Sequence, residues 1–581
     1  MRVEQHLEAR VRQTIQEALG VDADPLLRPT KDPALGDYQL NAAFALAKSQ
    51  KSSPRQIAER IAQALQGAPE FASVEVAGGG FINLRLSEEW MGEVLAQMLG
   101  DQRLGVPLVS RPERIVVDYS GPNIAKQMHV GHLRSTILGH AIISLLRFIG
   151  HEVIGDNHLG DWGTQFGILI AALREFRGGD SSGLDISGLE ALYRDGTRKA
   201  SEDPAFAERA RLELARLQQG DAENRALWER FVALTRAEIE PIYERLGVRF
   251  DLWLGESFYQ PMLGPTVQML LERGIAREDE GAVCVFFNEW KERLGEAAPG
   301  RLANHKEPLI VKKRDGAYLY STTDIATVIY RSEELRANRA LYVVDMRQSL
   351  HFEQVFAIAK RLGYPIELEH VGFGAVLDAE GKPLKTREGK AITLAALLDE
   401  AEKRAFEVMK SENIFEISVD EMALIARAVG IGAVKYADLK QNRLSDYVFD
   451  FDKLIDLKGN SGPYMQYAGA RVRSIFRKGG IDPLGLRVKR VLLQSPEERS
   501  LGRVLLRFPE IIHRAAQARE PHQLTDHLYA LSREFSLFFE RCPVLRSEGA
   551  TRDSRLALTA LVGAQIQKGL ELLGIEAVER M

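Results

Sequence analysis

The chain has 581 residues, 45% hydrophobic and 27% charged, an ordinary globular composition with length for about three to five domains. No apolar run approaches the roughly 18–20 residues of a membrane span. Only two cysteines, Cys284 and Cys542, are present, which excludes a disulfide framework or a cysteine-rich zinc site and fits a reducing cytoplasm. The net charge of -5 is uneven: residues 456–581 hold 20 basic and 14 acidic side chains, a balance of +6, against -11 for the rest. That basic end suits a polyanion partner, or a merely solvated basic surface.

The opening stretch M-R-V-E-Q-H-L-E-A-R-V-R carries acids on a helical pattern, so it reads as a structural helix and not a transit peptide. A second helix is expected at 54–65, then strands S-V-E-V-A and F-I-N-L-R-L joined by a turn at Gly78-Gly79-Gly80. Residues 1–107 thus form a small α+β unit, with a linker near 104–113. R-I-V-V-D-Y is a short apolar strand; Leu133, Ile137, Ala141, Leu145 and Phe148 recur at helical spacing; H-E-V-I-G-D is the next strand. This βαβ alternation predicts a doubly wound parallel sheet with its ligand at the strands' C-terminal ends.

A charged helical stretch at 171–246, with mixed structure to about 300, reads as an insertion. Alternation resumes at Leu309: A-Y-L-Y-S as a strand, T-T-D-I-A-T-V-I-Y-R as a helix, A-L-Y-V-V-D as a strand, then a helix from S-L-H-F and the strand E-L-E-H-V-G-F. The remainder is read as helical: a connecting region at 392–455 and a C-terminal domain at 456–581. The catalytic domain spans 108–391.

The most informative segment lies at 117–135, V-D-Y-S-G-P-N-I-A-K-Q-M-H-V-G-H-L-R-S. His129 and His132 flank Gly131 at the first strand-to-helix turn, with Lys126 just before them. Imidazoles, a lysine and a glycine at a helix N-terminus suit a nucleotide triphosphate. A histidine pair taken alone is more often structural; its place in the sheet domain favours the ligand site. No Walker-type Gly-Lys-Ser/Thr and no G-x-G-x-x-G after a strand are present.

H-V-G-H matches the HIGH signature of class I aminoacyl-tRNA synthetases. The longer string S-G-P-N-I-A-K-Q-M-H-V-G-H-L-R-S-T, with N-H-L-G-D-W-G-T-Q-F-G, L-Y-S-T-T-D, G-N-S-G-P-Y-M-Q-Y-A and the terminal E-R-M, resembles the arginyl-tRNA synthetases along the whole chain. The resemblance implies a Rossmann-like catalytic domain between an N-terminal domain that grips the tRNA D-loop and a helical anticodon-binding domain. It implies ATP with Mg2+, L-arginine and tRNA(Arg) as ligands, no protein-bound zinc, and a cytoplasmic monomer.

By the same resemblance, Asp118 and Asp324 face the substrate guanidinium, Tyr320 hydrogen-bonds it, and Asn123 and Gln348 hold the α-amino group. The chemistry fits, since a guanidinium offers five N–H donors in a fixed fork. For Asp324 alone, a capping acid at a helix start is the competing reading. A site built on such bonds rejects analogues that lack the group by roughly 10⁴–10⁵-fold, so no editing domain is needed. The second family signature departs from its pattern: 383–387 read P-L-K-T-R, with Thr386 where a lysine is usual. Lys126 and Lys385 are then expected to share the pyrophosphate charge with help from Arg387, while Thr386 joins His129, Gly131, His132 and Lys126 around ATP.

For tRNA, the resemblance points to Phe81 and Asn83 at the D-loop, and to Tyr464, Tyr467, Arg471 and Met581 at the anticodon loop. Alternation puts Phe81 and Asn83 on one strand face, and aromatics beside arginines suit unstacked bases. A core phenylalanine remains the alternative for Phe81. Phe535 and Phe539 read as core. Asp118 with Asp324 argues against an acidic amino acid, and the intact H-V-G-H argues against a tRNA-binding paralogue without catalysis.

Overall fold

In the computed structural model, all residues are described except Lys31, Ala379, 383–391, 412–417, 451–452 and Met581. Lys385, Thr386, Arg387 and Met581 therefore lie outside the described residues.

The N-terminal unit packs helices Val3–Leu19 and Pro54–Leu65 on an antiparallel sheet ordered Leu27–Pro29, Tyr38–Leu40, Phe81–Leu86, Phe71–Ala77. Ser53 starts the second helix through a reciprocal bond pair with Gln56, and Ile57, Ile61 and Leu65 bury its apolar face. Asp37, in a turn of this unit, is gripped by Arg499 at 2.9 Å and Arg503 at 3.0 Å, which ties the unit to the C-terminal helices.

Four parallel strands form the central sheet, in the order Glu367–His370, Arg339–Tyr342, Arg114–Asp118, Glu152–Asp156. The helix Val130–Phe148 crosses between the last two, and Ser349–Leu362 between the first two. The strands Arg114–Asp118 and Arg339–Tyr342 are neighbours whose crossovers depart in opposite directions. A doubly wound sheet opens its ligand crevice at that point. The register aligns Asp118 with both Asp156 and Tyr342 at the strands' C-terminal ends.

The insertion contains the helices Ile186–Glu202, Pro204–Gln218 and Ala222–Leu246, as its charged pattern predicts. Two expectations change. Leu309–Lys312 does not resume the parallel sheet; it pairs antiparallel with Ala282–Val285 in a separate three-stranded sheet. The segment A-Y-L-Y-S is not a strand either: it makes one isolated bridge, Lys312 to Tyr318, and the helix begins at Tyr320. The reason is local. Ser321 Oγ donates to Ile310 O at 2.7 Å and the Thr322 hydroxyl donates to Val311 O, so the side chains cap the neighbouring strand while their own backbone turns helical.

Among the described residues beyond 392 the regular elements are helices, apart from Tyr447–Val448, which pairs parallel with Val376–Leu377. Arg134, on the first crossover helix, locks this junction: it pairs with buried Asp438 at 3.2 Å and donates to Gly374 O at 2.7 Å and Ser445 O at 2.9 Å. Five helices from Gly462–Gly479 to Gly549–Leu572 complete the C-terminal domain. Both cysteines are buried free thiols.

Candidate active site

The crevice at the strand ends is a cavity of about 740 Å3. Asp118, Asn123, His129, Gly131, His132, Tyr320, Asp324 and Gln348 all line it, although more than 200 residues separate the first from the last. Five elements deliver them: the end of one strand, the loop after it, and the starts of the helices Val130–Phe148, Tyr320–Glu333 and Ser349–Leu362.

At the helix start, the two histidines cap the backbone reciprocally. Nδ1 of His129 accepts from Gly131 N–H at 3.0 Å, and His129 N–H donates to Nδ1 of His132 at 3.2 Å. A Cβ at position 131 would lie 2.7 Å from the His129 ring, so only glycine admits this turn. With both Nδ1 atoms accepting, each neutral ring carries its proton on Nε2. Burial holds both below the ordinary imidazole value, His132 down to about 4, and Lys126 adds to the effect on each. Two neutral N–H donors thus stand at the positive end of a helix, suited to phosphate oxygens.

The opposite wall is acidic. Asp118 and Asp156 lie side by side in register, and Nη2 of Arg331 bridges them at 2.7 and 2.8 Å. Arg331 is fully buried and lies 5.0 Å from the centre of the Tyr342 ring. One oxygen of Asp118 is therefore occupied by the protein's own guanidinium, and burial raises its pKa against the opposing pull of Arg331. Asp324 differs. It is the fifth residue of its helix, beyond the capping turn, and its carboxylate meets Nε2 of His351 at 2.5 Å. Tyr320, one turn earlier on the same face, is 62% exposed with its ring 4.8 Å from that of His351.

Glu256 also lines the cavity. It follows Gly255, where a Cβ would meet the Asp161 carboxylate at 2.5 Å, and Asp161 in turn accepts from Ser257 N–H and Oγ–H at 2.8 and 2.7 Å. The end of the insertion is thereby stitched to the loop carrying N-H-L-G-D-W-G. Burial pushes Glu256 up to about 7, with His158 opposing and Asp324 and Asp161 adding.

Sequence reasoning missed Glu256, His158, His351 and Arg331. The only local hint was His351, three residues after Gln348 at a helix start. Lys126 is not among the cavity-lining residues; its ammonium sits 5.5 Å from the ring centre of Tyr193 on an insertion helix. The described residues on both sides of 383–391 border the site: Val376 lines the cavity, Ile392 O accepts from Val130 N–H at 3.2 Å, and Leu394 N–H donates to Met128 O at 2.8 Å.

A second cavity, of about 790 Å3, opens in the C-terminal domain between Tyr467, Arg471, Arg477, Lys478, Phe539 and Arg546. The Arg471 guanidinium lies 4.5 Å over the Phe539 ring, so Phe539 is a cavity wall while Phe535 is buried core. Tyr464 does not line this cavity and packs edge-on against Tyr529 at 6.2 Å. Arg473 is turned to the chain's end, donating to Val578 O at 2.8 Å. In the N-terminal unit Phe81 is 39% exposed against Phe44, ring centres 4.8 Å apart. Gln39 Nε2 donates to Asn83 Oδ1 at 2.9 Å, which leaves the Asn83 amide N–H pair to read an acceptor.

Comparison with known proteins agrees along the whole length. The profile of the class I (R) tRNA synthetase catalytic domain matches residues 94–451, that of the arginyl tRNA synthetase N terminal domain 5–86, and that of the DALR anticodon binding domain 465–581. A relative from Hahella chejuensis named arginine–tRNA ligase is 44% identical over 590 residues, covering 100% of both chains. The crystal structure of arginyl-tRNA synthetase from Plasmodium falciparum superposes with a TM-score of 0.85 at 28% identity, covering 100% of this chain and 99% of that one. That of the Thermus thermophilus arginyl-tRNA synthetase gives 0.81 at 26%, covering both completely.

Proposed function

The chain belongs to the arginyl branch of the class I tRNA synthetase family, and from that membership we propose how its cavity ligates arginine to tRNA. One observation carries the reading: a neutral histidine pair at a helix N-terminus faces a wall of carboxylates across a single cavity.

ATP lies over His129, Gly131 and His132, whose Nε2–H groups meet its phosphate oxygens. Mg2+, carried in by the triphosphate, neutralises part of its charge. The arginine guanidinium enters the acidic wall, against Asp324, Glu256 and the Tyr320 hydroxyl, with the free edge of Asp118 behind them. Asn123 and Gln348 hold the α-amino group. The arginine carboxylate then attacks the α-phosphate, pyrophosphate leaves, and the terminal ribose of tRNA takes the arginyl group from the adenylate. No side-chain nucleophile is needed; positioning and charge stabilisation suffice. Phe81 and Asn83 take a D-loop base, and Tyr467 and Arg471 take anticodon bases beside Phe539. Tyr464 acts there by supporting the helix, and the family resemblance assigns Met581 to the same anticodon contact. The enzyme works as a monomer in the cytoplasm.

ATP–pyrophosphate exchange in the presence of tRNA, with arginine, lysine and citrulline compared, tests the reading. Exchange with arginine alone supports it, and no exchange with any of the three overturns it. In the same assay Lys126→Ala is expected to lose about 10²-fold, since Lys126 must leave Tyr193 and supply, with Lys385 and Arg387, the charge that Thr386 lacks. A rate near wild type would remove Lys126 from the step.

The Glu256 carboxylate sets a pH dependence. It must be charged to take a guanidinium, and its value near 7 means the charged fraction falls below that pH. KM for arginine is expected to fall about fivefold between pH 6 and pH 7 and about tenfold in all by pH 8, where it levels off. Glu256→Gln should flatten the profile at a higher KM. A wild-type KM that is constant from pH 6 to 8 would exclude Glu256 from the contact.

A further inference from the structure

We propose that His351 is a positioning residue for arginine specificity: its Nε2–H holds one oxygen of Asp324 and so fixes the plane in which that carboxylate meets a guanidinium. The proposal rests on the reading that Asp324 faces the substrate side chain.

Asp324 and His351 sit near the starts of two different helices, Tyr320–Glu333 and Ser349–Leu362, and meet at 2.5 Å at the cavity wall. Their side chains are 20% and 13% exposed. The imidazole is itself held on two sides, by the Tyr320 ring at 4.8 Å and by the Phe352 ring edge-on at 5.3 Å. Nδ1 is buried and has no hydrogen-bond partner among the described residues. A ring with a proton on Nε2 donates to that carboxylate oxygen and holds its plane.

Orientation matters because of what is recognised. A guanidinium is a planar fork that pairs with a carboxylate in a common plane, whereas an ammonium is a point charge indifferent to that plane. An aspartate free to rotate would attract either cation; one pinned through one oxygen favours the fork. Arg331 supplies a parallel case inside the same wall, since it occupies Asp118 and leaves Asp324 as the carboxylate held by an imidazole.

The test is steady-state aminoacylation by the full-length enzyme with saturating ATP and tRNA. His351→Phe keeps an aromatic ring and loses the donor; His351→Gln places an amide N–H near the position of Nε2. KM for arginine is expected to rise about tenfold in H351F with kcat changed less than about threefold, and to return within about threefold of wild type in H351Q. H351N, polar but too short, should behave as H351F does and replaces it should the phenylalanine fold poorly. Combining H351F with D324N should add nothing to D324N alone. An unchanged KM in H351F and H351N, failure of H351Q to recover, or losses that multiply in the double variant would each overturn the proposal. If D324N itself leaves KM unchanged, the fault lies with the placement of Asp324 and not with His351.

Discussion

Replacing Asp324 with asparagine is expected to lower kcat/KM for arginine by about 10³-fold, mostly through KM, with little change in thermal stability. The substitution is isosteric, so packing beside His351 and Tyr320 survives. What changes is charge and polarity. Two charge-assisted bonds to a guanidinium contribute roughly 1.5–3 kcal/mol each, and about 4 kcal/mol together corresponds to three powers of ten. Asparagine can also turn its amide N–H pair toward the substrate, donor against donor. Glu256 remains in the cavity, which keeps a residual affinity for any cation. Preference for arginine over citrulline should therefore fall alongside the affinity. Competitive charging with the two amino acids measures both effects. A loss below about tenfold, or an undiminished preference, would place the guanidinium elsewhere in the cavity.

Much of this site could be read before any coordinates, and the parts that could not share a physical cause. The turn at His129–Gly131–His132 is local: a strand, a loop and a helix start within 35 residues, and the helix Val130–Phe148 follows its apolar period. Asp324 left two readings open. Its place as the fifth helical residue, bonded to an imidazole and not to a backbone N–H, removes the capping one. Tyr320 shows the limit of propensity, because A-Y-L-Y-S has the residues of a strand but Ser321 and Thr322 bond to the backbone of Ile310 and Val311 and turn the chain into a helix. Arg331 was invisible for a different reason. It sits in the last turn of its helix, where a basic residue is ordinary, and its partners lie 213 and 175 positions away. Glu256 likewise owes its place to Gly255 against Asp161, a contact between the end of the insertion and a loop of the sheet domain. Periodicity reports the face of an element and is silent on which remote charge that face will meet.

Arg331 gives the second large expectation. Arg331→Met should destabilise the catalytic domain by about 3–5 kcal/mol at neutral pH, the usual result of removing one member of a buried charge cluster. The side chain is fully buried, so no water can take over its role cheaply. Methionine fills a similar volume and keeps contact with Tyr342, which isolates charge from packing. The remaining carboxylates, Asp118 and Asp156, then face each other from adjacent strands in register, with no cation between them. A like charge in that position pushes the Asp118 carboxyl upward. Burial already raises Asp118 in the wild type, where Arg331 opposes it. In the variant the opposing pull is gone. A carboxyl whose folded pKa exceeds its unfolded one binds its proton more tightly when folded, so stability rises as pH falls through the folded value. The deficit should therefore be largest near pH 8 and shrink toward pH 5, opposite to the loss expected from an ordinary acid-sensitive ion pair. Adding Asp156→Asn removes one of the two charges and should recover part of the stability at pH 8 but little at pH 5. Calorimetric unfolding of the three proteins at both pH values decides the matter. A deficit under about 1 kcal/mol, or one that grows on acidification, would mean that the two carboxylates are not held together by Arg331. The strand ends beneath the arginine pocket would then owe their arrangement to packing alone.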